Sequence, residues 1–542
     1  MPMNIAKSAR VNNKSPLSTF NGNPEGVNGM RNNAKKSMKL NRDLDAYVEK
    51  ALDQDRPVKI GWGRAGDERP KQGEFGVLTH LPKGARVLCL GNLGDCVGTA
   101  NRGGTMTLRG SAGSMLGSYH HSGKTVVEKD VGDKTGYKMS GGEISIQGSA
   151  GNDVGAGMTD GMVVVRGHTE ARPGAGMSGG SILIMGSVGS DPGIGMRGGT
   201  IIISGSCPPP PDGVEMRSIK KSEISEFSKI LDPMGLSLNE DALVLEPSNA
   251  LPEIELKQKR FIEERFEKIA LHPNDGTLAE HSPLDHYSLL VPGDSESEGV
   301  LLRLPWIISC QSTNDSEQWT GVDATAIVRE NPRENDFLIV GGNEFVDSID
   351  FLGNCAGLIF DITEFSGSND AEIEALLVSL RSRMPEHCLV MLRGEIGRVE
   401  HLFRMVMELE LDGAIVDCSS SSGSKLASAL PRLGISSKGM GMSSSGKFIM
   451  LEMDQEPVAK DLMIAIAAGC TALVSPLSGS EPRERMDEIE SDLRVLMREI
   501  GVDRIERIGR RNLRAKDYET AAISGLRLIG YDRPLKMWLD LR

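Results

Sequence analysis

Between Val87 and Ile203, apolar residues alternate with polar ones in short runs that recur every 19 residues. The paired positions are Val87 and Cys89, Met106 and Leu108, Thr125 and Val127, Ile144 and Ile146, Val163 and Val165, Ile182 and Ile184, and Ile201 and Ile203. A period of two inside a longer fixed period predicts one strand per coil, with one face turned inward. Each inward side chain then stacks on its equivalent one coil away, at the strand spacing of about 4.8 Å. Glycine keeps the same register in one column from Gly98 through Gly117, Gly136, Gly155 and Gly174 to Gly193. A second column runs from Gly104 through Gly123, Gly142, Gly161 and Gly180 to Gly199. A third column begins at Gly91 and a fourth at Gly94, broken by Lys129 and Glu170 respectively. Such columns mark turns that need positive φ or close backbone approach. Met139, Met158, Met177 and Met196 form a further column that reads as interior filling. Together these features predict a right-handed parallel β-helix of 19-residue coils over residues 85–207. Cys207 and the four prolines Pro208 to Pro211 end the stack, because proline cannot donate to another ladder.

The pattern changes from about Val300. Short apolar runs at Leu302–Ile308, Phe337–Val340, Leu358–Phe360, Leu389–Leu392, Ala414–Val416, Phe448–Leu451 and Ala472–Val474 read as buried strands. Helical stretches at Ala371–Met384, Val399–Leu409 and Val458–Ala468 fall between several of them. Strands alternating with helices predict a parallel sheet, and residues 281–542 suit a (β/α)8-like barrel, with a doubly wound open sheet as the alternative. The fold class expected is therefore multidomain, β plus α/β. Residues 1–40 read as a flexible basic arm, with Glu25 the only acid before Asp43. Residues 41–84 read as a lead-in with a short helix at Arg42–Leu52. Residues 208–280 read as a proline-rich linker and helical layer, with helices at Ser222–Leu231 and Glu253–Ala270.

Composition narrows the function classes. A net charge of -14 argues against nucleic acid or an anionic membrane as a general partner. No apolar run is long enough to span a bilayer, and the expected location is the cytoplasm. The eight cysteines are scattered singly, which fits free thiols in a reducing compartment. His120 and His121 stand where the methionine column would begin, and without a further ligand type nearby they read as a loop pair. No catalytic residue and no metal site emerge from the spacing.

The coil Gly174-Ala-Gly176-Met177-Ser-Gly-Gly180-Ser-Ile182-Leu-Ile184-Met-Gly186 resembles the GXGXG domain. That domain is found in the large subunit of glutamate synthase and in one of the subunits of formylmethanofuran dehydrogenase. The C-terminal half resembles the FMN-binding barrel of glutamate synthase. The resemblance rests on Asp370–Arg398 with Leu392 and Glu395, on Asp412–Leu433, on Ala465–Gly469, and on Asp492–Gly501 followed by Ile508–Leu513. The resemblance implies a flavin phosphate held by glycine-rich loops. Here one loop is Cys418-Ser-Ser-Ser-Ser-Gly423-Ser-Lys425 and the other is Met453-Asp-Gln-Glu456-Pro457. An acidic pair and a proline oppose a phosphate and remove a donor. Met391 stands where the family has lysine, with Arg393 nearby. A residual FMN site would draw on Ser420, Ser421, Ser422, Gly423, Lys425, Arg393 and Glu395. Absence of cysteine after Cys470 argues against the family's iron–sulfur cluster, and absence of cysteine before Cys89 argues against its glutamine-hydrolysing nucleophile. The resemblance then implies a structural or regulatory subunit with protein partners, in an oligomer or hetero-complex. The alternatives are a divergent FMN-dependent component using separate amidotransferase and electron-donor subunits, and a scaffold in a formylmethanofuran-dehydrogenase-like assembly.

Overall fold

A computed structural model describes residues 24–61, 73–248, 266–273, 287–289, 300–309, 324–365, 367–419, 426–477 and 482–531. The repeat forms most of a ten-stranded sheet. Its strands are β1 (Val58–Ile60), β2 (Arg86–Leu90), β3 (Arg102–Arg109), β4 (Ser122–Val127), β5 (Ser140–Ile146), β6 (Asp160–Val165), β7 (Ser178–Ile184), β8 (Gly198–Ile203), β9 (Val214–Ser218) and β10 (Leu243–Pro247). β1 to β8 pair parallel in chain order, and the register runs Val87, Met106, Thr125, Ile144, Val163, Ile182, Ile201. This is the ladder expected from the sequence. A second column of parallel bridges links Ala112, Val131, Ala150, Thr169 and Val188 on another part of each coil. The methionine column lies in the same buried cluster as the aliphatic ladder.

Polar ladders run alongside. Ser111 N donates to Asn92 Oδ1 (3.1 Å), Ser149 N to Asp130 Oδ1 (2.8 Å), His168 N to Ser149 Oγ (3.1 Å) and Ser187 N to His168 Nδ1 (2.9 Å), each across 19 residues. Side chains at the turns thus take up backbone donors that would otherwise be unpaired.

Two glycines show what the columns require. At Gly110 an added Cβ would lie 1.8 Å from Gly91 O, so adjacent coils touch backbone to backbone. At Gly180 φ is +80°, and a Cβ would lie 2.8 Å from Gly161 O.

The stack differs from the sequence expectation on its outer face. Val164, Leu183 and Ile202 point away from the ladder yet are buried, because the helix Lys221–Leu231 and Val244 of β10 cover them. The parallel run ends when β10 pairs antiparallel with β8, and β9 with β10. This caps an edge that would otherwise offer unpaired backbone groups. The helix expected over Arg42–Leu52 begins at Pro24 and ends at Asp53, so the stretch read as an arm is helical from Pro24 onward. Its Leu44 and Val48, four residues apart on one face, join the cluster of the stack. Of the helix expected over Glu253–Ala270, residues 253–265 lie outside the described residues, and Ile269 and Ala270 belong to a strand.

That strand is β11 (Ile269–Leu271), and β12 (Tyr287–Leu289) pairs with β13 (Val300–Leu302). Then come β14 (Trp306–Ser309), β15 (Ala326–Val328), β16 (Phe337–Val340), β17 (Gly357–Asp361), β18 (Leu389–Glu395), β19 (Gly413–Asp417), β20 (Phe448–Glu452) and β21 (Ala472–Ser475). All eight are parallel, and β14 pairs with both β15 and β21, closing a barrel. The open sheet is thereby excluded. Of the eight barrel strands, β15 is the one absent from the sequence expectation. Helices Asp370–Arg381, Val399–Glu408, Leu426–Met440, Ala459–Ala467 and Pro482–Ile500 accompany the later strands. β22 (Leu513–Ala515) and β23 (Arg527–Leu528) complete a small sheet with β11. Among the described residues, no helix is long and apolar enough to cross a membrane.

His120 is fully buried in the methionine column, its ring nitrogens near Gly141 O (3.0 Å) and Thr125 Oγ1 (3.3 Å), while His121 is exposed. Both lie in the loop before β4, as expected, but only His121 faces solvent. Burial lowers the His120 pKa from 6.5 to about 4 and that of His80 to about 3. A depressed folded-state value contributes stability that is full above pH 6.5 and is lost as pH falls through about 4. Melting temperature is expected to fall over that window, and His120→Met should flatten part of the slope. An unchanged slope would remove His120 as its source. Gly110→Ala should destabilise by about 1–3 kcal/mol in urea unfolding, since backbone cannot yield as a side chain does.

Candidate functional site

Alternation along the barrel strands decides what faces its interior. Ile359, Met391, Ile415 and Met450 share one buried interior cluster, whereas Leu358, Val390, Leu392, Ala414 and Ile449 belong to the layer outside. Two residues further on, the same phase brings Asp361, Arg393, Asp417 and Glu452 inward at the C-terminal ends of β17 to β20. A charged layer therefore sits on an apolar one at the barrel mouth, the end where such barrels carry their chemistry.

The layer closes on itself. Arg393 Nη1 donates to Asp361 Oδ2 (2.7 Å), Nη2 to Asp417 Oδ2 (3.1 Å) and Glu452 Oε1 (3.2 Å), and Nε to Glu452 Oε2 (2.6 Å). Two carboxylates are held further: Asp361 Oδ1 accepts from Thr363 N (3.0 Å) and Thr363 Oγ1 (2.6 Å), and Asp417 Oδ1 accepts from Ser419 N (2.8 Å). Asp361 and Asp417 are buried, and the Arg393 side chain is 17% exposed. One guanidinium thus faces three carboxylates. Burial opposes the charge on Arg393, but Glu452 and then the two aspartates hold it firmly protonated. Burial also raises the Glu452 pKa; Arg393 offsets this in part, and repulsion from Asp417 and Asp361 adds to it.

Beside this cluster the stack meets the barrel. Arg329, which directly follows β15, pairs with Glu344 (2.5 Å) and more loosely with Glu364 (3.4 Å). Glu364 Oε2 also accepts from Gly342 N (3.0 Å). Tyr119 of the stack packs on Phe345 and Phe365, with ring centroids 5.5 and 6.0 Å away, and Lys138 Nζ lies 5.8 Å from the Tyr119 ring centroid. Lys134 Nζ reaches the buried Glu372 at 2.7 Å. Arg102 forms a bidentate pair with Asp350, both bonds 2.7 Å. The mouth loops of the barrel are therefore seated on the early coils.

Among the residues expected to hold a cofactor, Ser420, Ser421, Ser422, Gly423 and Lys425 lie outside the described residues. Arg393 is at the mouth, engaged as above. Glu395 closes β18, exposed to solvent, and does not join the cluster. In the second loop Glu456 is ion-paired with Arg485 of the helix Pro482–Ile500. Met391 is fully buried in the barrel interior. Asp361, Asp417 and Glu452 were not singled out by sequence reasoning. The available signal was an acidic residue closing each of three apolar runs, in phase with Arg393. Among the described residues, no group of three or more histidine, cysteine, aspartate or glutamate side chains is placed to hold a metal ion.

No protein-family model matches the sequence, and no curated protein matches it. Among solved structures, a chain of the formyltransferase/hydrolase complex from Methylorubrum extorquens in complex with methylofuran is similar at 29% identity and a TM-score of 0.26. The match covers 28% of this chain and 58% of that one, so the chain spans less than two thirds of that protein's length. A point mutant of flavocytochrome b2 is similar at 11% identity and a TM-score of 0.37, over 53% of this chain and 86% of that one. Neither is a glutamate synthase, and likenesses this loose carry no argument about activity.

Removing the cation should expose how much the layer depends on it. Arg393→Met leaves buried carboxylates facing one another and is expected to destabilise by about 3–5 kcal/mol in denaturant unfolding. For Glu452 the sign is opposite to that of the histidines. A raised folded-state value contributes stability that is full below the usual 4.5 and lost as pH rises through the folded value. Glu452→Gln should therefore gain stability relative to the unmodified chain as pH rises from 4.5 to neutrality. A constant difference between the two chains would show that Glu452 is not held protonated.

Proposed function

We propose that the chain is a structural or regulatory component of a glutamate-synthase-like assembly, with a barrel that carries no flavin chemistry of its own. The observation that supports this reading best is the engagement of Arg393 by Asp361, Asp417 and Glu452. A phosphate-bearing cofactor needs uncommitted donors and positive charge where it docks. The described mouth presents an excess of carboxylates, with the Arg393 guanidinium donating from Nε, Nη1 and Nη2 to three of them and Arg329 paired with Glu344 and Glu364. Met391 supplies no charge below it, and Glu456, tied to Arg485, keeps negative charge on the second loop. These residues do not fit FMN.

On this reading the repeat coils as a right-handed parallel β-helix and serves as a rigid wall. Its early turns support that role within the chain, because Cys96, Ala100, Met115 and Tyr119 are buried in the cluster of the barrel. The same ridge on later coils is open, with Arg172, Gly176 and Gly195 exposed and Ile194 at 41% exposure. Such a surface suits protein partners.

The test is direct. Protein isolated with its native partners should show no flavin absorbance, and mass spectrometry of the denatured supernatant should find no FMN bound to this chain. Stoichiometric FMN with reduction of 2-oxoglutarate in the presence of glutamine or ammonia would overturn the reading. Co-purification with a molybdenum or tungsten protein would instead favour a formylmethanofuran-dehydrogenase-like scaffold.

A further inference from the structure

The opposite end of the barrel holds a cavity of about 420 Å³ between the helix Pro24–Asp53 and the start of β18. Lys35, Lys39 and Arg42 approach it from the helix, and Arg381 from the barrel, against the carboxylates of Asp43 and Glu386. The volume is in the range of small-molecule sites. Apolar walls come from Met38, Met384 and Val390.

Its charges are poorly cancelled. Arg42 reaches Glu386 only at 3.5 Å, with the two side chains 44% and 90% exposed, so this pair neutralises little. The other Arg42 bond, Nε to Ser382 O at 2.9 Å, uses a neutral acceptor. Arg381 is partly buried, and its guanidinium donates to the Leu409 carbonyl at 3.4 Å. Among the described residues it has no carboxylate at ion-pair distance; burial lowers its pKa, and the more distant Asp412 and Glu410 offset this only in part. Arg393 at the mouth is the opposite case, surrounded by carboxylates. Lys35 and Lys39 stand four residues apart, on one face of the helix, where like charges repel. Four cations thus converge on one apolar-walled cavity, and the most buried of them has no ion-pair partner among the described residues.

We propose that this cavity binds a small organic anion, whose phosphoryl or paired carboxylate group bridges Arg381 to Lys35 and Lys39 and so clamps the N-terminal helix onto the barrel. A planar guanidinium with two ammonium groups suits such a dianion, and the methionine wall suits a short apolar remainder. The site is at the N-terminal ends of the strands, away from the mouth, and it stands whether or not the mouth binds flavin. Its effect is on coupling between the stack and the barrel, because the helix is anchored in both. Asn41 Nδ2 donates to Gly76 O (2.8 Å) on the stack side, and Asp45 pairs with Arg383 (2.8 Å) on the barrel side.

Full-length protein should be titrated at constant ionic strength with inorganic pyrophosphate and, separately, with succinate, followed by calorimetry and melting temperature. Saturable binding that raises the melting temperature, and slows hydrogen exchange over Lys35–Asp43, is expected from at least one probe. The responding probe separates phosphoryl from carboxylate chemistry. The double variant Lys35→Ala/Lys39→Ala alters exposed side chains and should fold normally while weakening binding roughly tenfold or more. Absence of saturable binding by both probes, or equal binding by the double variant, would overturn the site. Binding without slowed exchange in the helix would overturn the clamp.

Discussion

Contact between successive backbones, 19 residues apart, is the constraint on which the rest of the molecule depends. Gly113 N donates to Gly94 O, Gly132 N to Gly113 O and Gly151 N to Gly132 O, at 2.9, 3.1 and 3.2 Å. Glycine leaves room for this approach, and where Glu170 interrupts the column the bond to Gly151 O lengthens to 3.3 Å. Once the coils touch, the aliphatic ladder, the methionine column and the polar ladders fall into line without further specification. A repeated coil also has little freedom to adapt, since a shift in one level displaces every level above it. The barrel therefore meets a fixed surface and has to conform to it.

Where the two meet, the stack departs from its own rule. One turn position of each coil is left-handed and reads Ala100, Tyr119, Lys138, Gly157, Gly176 and Gly195, with φ of 53°, 53° and 49° at the three non-glycine residues. An L-residue in that region costs about 1–2 kcal/mol. Glycine occupies it on the later coils, and side chains occupy it on the early coils that carry the barrel. Ala100 and Tyr119 are buried in the barrel cluster, and Lys138 stands over the Tyr119 ring. At this position side chains stand on the coils that contact the mouth loops, whereas a second left-handed column, Cys96, Met115, Lys134, Asp153, Arg172 and Asp191, carries side chains on early and late coils alike. The two ends of the barrel also differ: at the mouth the charges satisfy one another, while at the base the cations remain turned toward a cavity.

The periodic part of the fold was legible because each of its interactions repeats at a constant spacing. The register Val87 to Ile201 follows from counting alone. The barrel was legible strand by strand, since Phe337–Val340 and Leu389–Leu392 are short apolar runs bounded by polar residues. Ala326–Val328 escaped because three residues make no pattern, and its strand is defined by neighbours on either side. Leu302–Ile308 reads as one run but is divided, with β13 ending at Leu302 and β14 starting at Trp306. Burial on both faces of β6 to β8 was hidden for another reason, namely that the covering helix lies outside the repeat. Arg393 was picked out through a resemblance. Its partners were not, because Asp417, Asp361 and Glu452 are 24, 32 and 59 residues away in the chain. Closure of the barrel, which brings them together, is a property of all eight strands.

The N-terminal helix leaves a mark on the order of assembly. Leu44 and Val48 pack on coils that follow within a few dozen residues, so this half of its seat exists early in synthesis. Its other half is built from Ser382, 340 residues beyond Arg42, and Arg383, 338 beyond Asp45. Closing loops of that length comes late, and domains of a chain this size mature as units in the order they emerge. The helix Pro24–Asp53, the first among the described residues, is therefore fully docked only once Ser382 and Arg383 of the barrel are in place.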